Sequence, residues 1–367
     1  MSQDSLVPAP LARMSWGVIL LVCCITGFGL VVLYSAAGGS LRPWALSQGV
    51  RFLIFLMGAI TLSRIGEPQL KAAALPTYAI LLVLLVAVEA LGVVGGGSRR
   101  WLDLGIVRLQ PSELMKPAIV LALARFYDML PAGETRSWQA IWPAALLLAL
   151  PFGLVLVQPD LGTALMIAFG GTAVIFLAGV PLRFFALGAA ALAALMPIAF
   201  HMMHDYQRSR IEIFLNPESD PLGTGYHIIQ SKIAIGSGGI TGKGLLGGTQ
   251  SHLDYLPEGH TDFVFATMAE EWGLLGGAAI ILAYLLVIRW GMRVAVRARS
   301  RFGRLAAAGL ATTIFLYVAI NLLMVMGLAP VVGIPLPLVS FGGSAMMTVL
   351  ICLGLLMAID RHARRPG

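Results

Sequence analysis

Apolar residues run along this chain in long uninterrupted blocks, and polar residues are confined to the gaps between them. The blocks occupy about 14–36, 48–63, 73–94, 112–127, 139–157, 162–179, 182–202, 263–289, 305–326 and 340–359. About 20 apolar residues cross the hydrocarbon core of a bilayer. The pattern therefore predicts an all-α polytopic membrane protein with about ten transmembrane helices, arranged as one membrane-embedded domain over residues 1–367. The blocks at 48–63 and 112–127 are the shortest. The latter carries Glu113, Lys116 and Pro117, which predicts a helix that is broken or buried in the bundle instead of facing lipid. Ala36-Ala37-Gly38 weakly resembles a cleavage site, but the first block is longer than a signal-peptide core, so a retained first helix is expected.

One gap is much longer than the others, an expected loop from 203 to 262. Within it, Tyr206 to Leu215 alternates charged and apolar residues, as a short amphipathic element at the interface would. Ile228 to Ile235 is a second amphipathic stretch. Gly236 to Gly248 is rich in glycine and reads as loop. It is not a phosphate-binding P-loop, because Ser237 stands where the first glycine is needed and Gly244 where Ser or Thr must follow Lys243.

Composition agrees with the pattern: 58% hydrophobic residues, 12% charged and a mean hydropathy of +0.86, against roughly a quarter charged in soluble chains. The net charge of +7 is distributed between apolar blocks without interleaved aromatics, which argues against nucleic acid and for membrane topology. Lys and Arg accumulate in cytoplasmic loops. Arg289, Arg293, Arg297, Arg299, Arg301 and Arg304 lie between the eighth and ninth blocks, and Arg361, Arg364 and Arg365 follow the tenth. Both termini are thus expected in the cytoplasm and the 203–262 loop outside. That orientation leaves Arg42, Arg51, Arg99, Arg100, Arg108, Arg208, Arg210, Lys232 and Lys243 on the outer side, against the trend. Binding an anion would give them a reason. Cys23, Cys24 and Cys352 lie in apolar blocks and suggest packing, not a disulfide framework or a metal site.

Ionisable groups in or at the rim of a membrane are costly, and each is a candidate for function. Glu113 and Lys116 are three residues apart and can pair on one helix face, with Ser112 as a possible N-cap; a structural pair and a functional one are both open. Asp160 suits an N-cap. Glu89 lies deep in the 73–94 block with no obvious partner, and its role is open. Asp262 opens the 263–289 block where the long loop re-enters the membrane, as a cap stabilised by the helix dipole or as a general base facing an outer cavity. Glu270 is about 80° around the helix from it and roughly 12 Å along, so the two do not form an adjacent carboxylate pair. The loop histidines show no zinc-type spacing.

Several motifs together carry a resemblance. They are Arg108-Leu109-Gln110-Pro111-Ser112-Glu113, Gln158-Pro159-Asp160-Leu161-Gly162-Thr163, the run Gly225 to Gly239 (GYHIIQSKIAIGSGG), Gly242-Lys243-Gly244, Gly248-Thr249-Gln250, Leu256 to Phe263 (LPEGHTDF), Pro335-Leu336-Pro337 and Ser340 to Ser344 (SFGGS). The chain resembles the SEDS family (shape, elongation, division and sporulation) over nearly its whole length, and its elongation branch more than its division branch. Gly259 departs from an expected basic residue and Phe341 from an expected Tyr.

The resemblance implies a bacterial cytoplasmic membrane enzyme that polymerises lipid II into β-1,4-linked glycan strands during cell elongation. It implies a class B penicillin-binding protein as transpeptidase partner, and other membrane proteins of the elongation complex. It places the catalytic Asp on Asp262 and the family's glutamate, arginine and lysine, expected as substrate-binding residues, on Glu113, Arg108 and Lys116. An α-linked donor becoming a β link means inversion, hence a single displacement with one base. Arg51, Arg108, Arg210, Lys232 and Lys243 are candidates to compensate the diphosphate's charge, with Mg²⁺ or Mn²⁺ as possible help. A lipid II flippase, whose polar residues should line a path across the membrane, and a non-catalytic scaffold are the alternatives.

Overall fold

In the computed structural model, described for residues 14–95, 98–103, 108–131, 133–202, 205–220, 223–253, 255–256 and 258–364, ten helices coincide with the ten apolar blocks. They are α1 (Trp16–Ala36), α2 (Trp44–Leu62), α3 (Glu67–Leu91), α4 (Pro111–Met129), α5 (Trp138–Val157), α6 (Leu161–Leu177), α7 (Leu182–Met202), α11 (Val264–Arg297), α12 (Arg301–Val325) and α13 (Gly343–Ala363). Three shorter helices lie in the long segment between α7 and α11: α8 (Asp205–Leu215), α9 (Thr224–Ser237) and α10 (Thr249–His252). Both amphipathic stretches expected there are thus helical. Seven helices, α1, α2, α3, α5, α11, α12 and α13, are long and apolar enough to cross a membrane, with α6 and α7 as shorter apolar helices. The protein is an all-α, multi-pass membrane protein.

Helix α4 explains its own charges. It packs against α3, α5, α6, α12 and α13, and nearly every residue from Pro111 to Ala124 is buried. A helix enclosed by protein need not present an apolar face to lipid. It begins at Pro111 with Gln110 as its cap residue, so Ser112 is inside the first turn and is not the N-cap the sequence suggested. Proline fits the first helical position because its missing N–H would be unpaired there anyway. Asp160 does cap α6, accepting from Thr163 N at 3.1 Å.

Other differences are local. Helix α3 starts at Glu67, earlier than the apolar block, because Pro68 occupies its first turn and the Gln69 side chain accepts from Gly66 N at 3.0 Å. Glu89 is not deep in the helix: it is exposed, two residues from the end of α3. The gap between α3 and α4 holds a small antiparallel sheet, β1 (Val93–Gly95), β2 (Ser98–Asp103) and β3 (Arg108–Leu109), in the order β1-β2-β3.

The largest departure is in α11. The apolar block there is continuous, but Gly273 has φ +62° and ψ −161°, and the helix breaks at that point. The carbonyls freed by the break are taken up by the glycine-rich run. Lys243 N donates to Glu270 O and Gly244 N to Glu271 O, both at 3.0 Å, while Leu274 N and Leu275 N donate back to Gly239 O and Ile240 O. Two backbones can approach this closely only without side chains. A Cβ on Gly238 would sit 2.0 Å from Ala269 O, and one on Gly242 2.1 Å from Glu271 O. The glycines therefore serve packing between main chains.

At the end of the bundle where α1 starts and α13 finishes, ion pairs tie helices together. Lys71 bridges Glu67 (3.3 Å) and Asp128 (3.1 Å), Arg125 joins Asp128, and Arg364 pairs with Asp360 at 2.6 Å. Ser15 Oγ donates to Asp360 at 2.7 Å, and Asp128 accepts from Phe302 N at 3.1 Å.

Candidate functional site

The opposite end of the bundle, where α11 begins and α12 finishes, holds Asp262. The turn before α11 is fixed by Glu258, whose carbonyl accepts from Thr261 N and Phe263 N, and by Thr267 Oγ1, which donates to Gly259 O at 3.0 Å. This turn leaves the Asp262 side chain half-buried at the mouth of the bundle, where a Cβ on Gly333 would stand 3.4 Å from its Oδ2. No side-chain hydrogen bond engages its carboxylate among the described residues. Burial, with a smaller push from the Glu258 carboxylate, raises its pKa to about 6, and Arg210 opposes the rise. Desolvation penalises the ionised form, so an acid placed here holds its proton until close to neutrality.

A wall of rings and amides stands beside it. His260 stacks on Trp44 with centroids 4.0 Å apart, and Phe341 lies 6.2 Å from His260. Burial lowers the His260 pKa, so this ring is neutral near pH 7. Phe341 N donates to His260 O at 2.8 Å. Gln48 holds the loop that follows α12, donating to Ser340 O at 2.6 Å and accepting from Gly342 N at 3.3 Å.

The expected cations divide into two groups. Arg210, on α8, donates to Val331 O at 2.9 Å and acts electrostatically on Asp262. The Arg51 guanidinium lies 4.9 Å from the centre of the Phe341 ring. Lys232, on α9, lies over the turn at Gly327, where its Nζ is 3.0 Å from the position of a Cβ. These three are on the Asp262 side of the molecule. Lys243 is not brought to it. Its ammonium pairs with Glu270 at 2.6 Å and bonds Thr249 Oγ1 at 2.8 Å, and Glu270 also accepts from the first N–H groups of α10. Lys243 and Glu270 thus hold the glycine-rich run against α11. The Arg108 side chain lies outside the described residues. Arg100 donates to the Pro159 carbonyl and lies 3.9 Å from Asp160, a structural use.

Glu113 and Lys116 form a separate centre inside the bundle. Lys116 Nζ donates to Glu113 Oε1 at 2.6 Å and to Tyr317 OH at 2.8 Å. Tyr317 OH donates in turn to Glu113 Oε2, which also accepts from Thr348 Oγ1 at 3.1 Å. Every partner comes from α4, α12 or α13. The two centres are connected through α12. Asn321, one turn beyond Tyr317, donates from Nδ2 to Asp262 O at 2.9 Å and to Ile334 O at 2.7 Å. Tyr317, Asn321, Gln48 and Trp44 carry no charge at neutral pH, so charge within apolar blocks does not mark them. An Asn in an otherwise apolar block was the available signal.

A profile of the cell cycle protein family that comprises FtsW, RodA and SpoVE matches residues 15–365. The chain is a SEDS protein. Among SEDS relatives, the peptidoglycan glycosyltransferase MrdB of Escherichia coli K12 is 44% identical over 349 residues, which cover 94% of this chain and 93% of that one. The probable peptidoglycan glycosyltransferase FtsW of Trichlorobacter lovleyi is 36% identical over 96% of this chain and 94% of its own. A chain from a peptidoglycan synthase complex, solved for its coordination of polymerization and crosslinking, superposes with a TM-score of 0.82 at 36% identity, over 96% of this chain and 99% of that chain. The rod shape determining protein RodA of Thermus thermophilus superposes with a TM-score of 0.72 at 30% identity, over 96% of this chain and 98% of that chain.

Proposed function

We infer that this chain is a peptidoglycan glycosyltransferase that polymerises lipid II with Asp262 as general base. The enzyme class follows from the SEDS relatives MrdB and FtsW, which carry that activity in their names and align with 94% and 96% of this chain. The observation that carries the residue assignment is the state of Asp262: a half-buried carboxylate with no side-chain hydrogen bond among the described residues and a pKa of about 6. A base works best when its pKa is near the working pH, because it is then ionised and still able to take a proton.

In this reading the 4-hydroxyl of the acceptor sugar loses its proton to Asp262 as its oxygen attacks the donor's anomeric carbon. The bond to the lipid diphosphate breaks on the opposite face, and the configuration inverts. The departing diphosphate needs positive charge and no acid. Arg210, Lys232 and Arg51 supply it from the same side of the molecule, with Arg108 kept as a further candidate. Glu113 and Lys116 act on the site through α12, since the atoms of their pair are enclosed by protein.

Among the described residues no group of three or more His, Cys, Asp or Glu side chains is placed to hold a metal. A Mg²⁺ or Mn²⁺ ion would have to draw most of its oxygens from the diphosphate and water, and no step is derived through it. The arginine-rich segment between α11 and α12 supports a cytoplasmic position for that end of the bundle, and with it an outer-side position for Asp262. The partner is a class B penicillin-binding protein, as the synthase complex that this fold matches suggests, together with other membrane proteins of cell elongation. A flippase would need polar groups lining a path. The charged pair inside this bundle is instead closed on itself, which favours the enzyme over a transporter.

The test is reconstitution in liposomes with lipid II, with and without the transpeptidase partner. Wild type should produce glycan strands and Asp262→Asn should not. Equal rates for the two would remove Asp262 from the mechanism, and lipid II translocation with no glycan from wild type would favour the flippase.

A further inference from the structure

We infer that Asn321 is a positioning residue for Asp262, tying the base to the loop that forms the other side of its site and to the buried Glu113–Lys116 pair. The inference rests on the assignment of Asp262 as the base.

Asp262 and Ile334 are 72 residues apart in sequence and belong to different loops, the turn before α11 and the loop between α12 and α13. One side-chain amide joins them, with Nδ2 donating to Asp262 O at 2.9 Å and to Ile334 O at 2.7 Å. An amide nitrogen has two protons, and both are used. Asn321 is fully buried, and removing its amide takes the donor from both carbonyls at once. Ile334 is buried as well, and its neighbour Gly333 is the residue over which the Asp262 Oδ2 lies. The same bond pair thereby fixes the base and the floor beneath it.

The register along α12 extends the chain of contacts. Tyr317 precedes Asn321 by four residues and shares its face, and its hydroxyl is held by Lys116 and Glu113. A rotation of α12 that displaced Tyr317 from that pair would carry Asn321 with it. A motif buried in α4 thus reaches the base without touching substrate. Ser or Thr at position 321 would offer a single proton, and Asp would be an acceptor when ionised, so only an amide satisfies both carbonyls at this length.

The experiment compares wild type, Asn321→Ala, Asn321→Asp and Asn321→Ser in liposomes with lipid II and the partner, with thermal unfolding of each to confirm folding. Asn321→Ala should lower kcat at least tenfold and change KM less than threefold. The acid limb of its rate profile should move to lower pH, as a loosened Asp262 gains solvent. Asn321→Ser, keeping one donor, should recover part of the rate, and Asn321→Asp should not. A folded Asn321→Ala with kcat within twofold and an unmoved acid limb overturns the inference. So does a loss confined to KM. Should Asn321→Ala not fold, Asn321→Ser decides by the same two criteria. The protonation of Asp262 can also be followed without turnover, as the infrared carboxylic C=O band absent from Asp262→Asn. An unshifted titration of that band in the position-321 variants overturns the positioning role, whereas a wild type that makes no glycan while the band shifts overturns only the proposed function.

Discussion

Glu113, inside the bundle, and Asp262, at its mouth, are both carboxylates, yet their surroundings differ in kind. Glu113 is enclosed by an ammonium and two hydroxyls, from Lys116, Tyr317 and Thr348. Asp262 is approached by a second carboxylate, Glu258, is desolvated, and has no hydrogen bond to its side chain among the described residues. A carboxylate fully supplied with donors has little left to offer a substrate. One held in poor solvation with a raised pKa stores affinity for a proton. The contrast separates a group that shapes the protein from a group available for chemistry.

The most forceful way to break the comparison is to remove the charge at each site and measure glycan synthesis. Asp262→Asn should lower the rate by about 10²–10⁴-fold, the usual contribution of a general base, while leaving the protein folded. At Glu113 the leading effect should be on stability. Lys116→Met leaves a buried carboxylate without its cation and should destabilise the protein by about 3–5 kcal/mol. Adding Glu113→Gln should restore part of that loss, because no buried charge then remains. Unfolding in detergent or lipid would read both, and additive losses would contradict the coupling.

A third test sharpens the Asp262 half. Its folded pKa is raised to about 6, so protonation favours the folded state: the stability it contributes is full below about pH 4 and is lost as pH rises through 6. Asp262→Asn should accordingly be more stable than wild type at pH 8, by about 3 kcal/mol, with the difference vanishing near pH 4. The wild-type rate should fall on the acid side of about pH 6, where the base becomes protonated. The smallest effect concerns Arg210, which lowers the Asp262 pKa. Arg210→Gln should move that acid limb to higher pH by a fraction of a unit, apart from any loss in substrate binding.

What could be read in the sequence follows from the range of the forces involved. The helices were legible because a bilayer sets their length and their apolar character locally. Asp262 stood out for its place at the junction of loop and helix. The pairing of Lys243 with Glu270 was not legible, since it joins groups 27 residues apart across a backbone break. That break was hidden as well: Gly273 lies in an apolar run that reads as one helix, and its left-handed conformation makes sense only beside the glycines of 238–244. Gln110, not Ser112, caps α4 because Pro111 takes the first helical position. Asn321 and Tyr317 are uncharged, so the cost of charge in a membrane does not mark them, although their hydrogen bonds connect the two centres.

The break at Gly273 also has a consequence for synthesis of the chain. Residues 238–244, which bond the carbonyls freed at the break, precede α11 in the sequence and are translated first. The first half of α11 thus emerges toward donors that already exist, and the break can close without waiting for later helices. Lengthening the run between Gly238 and Gly244, for instance with an epitope tag, would shift those donors out of register with Glu270 and Glu271. The same tag placed on the exposed turn around Glu218 would leave them in register. The spacing of this strap, more than its composition, is what an engineer of this protein would need to preserve.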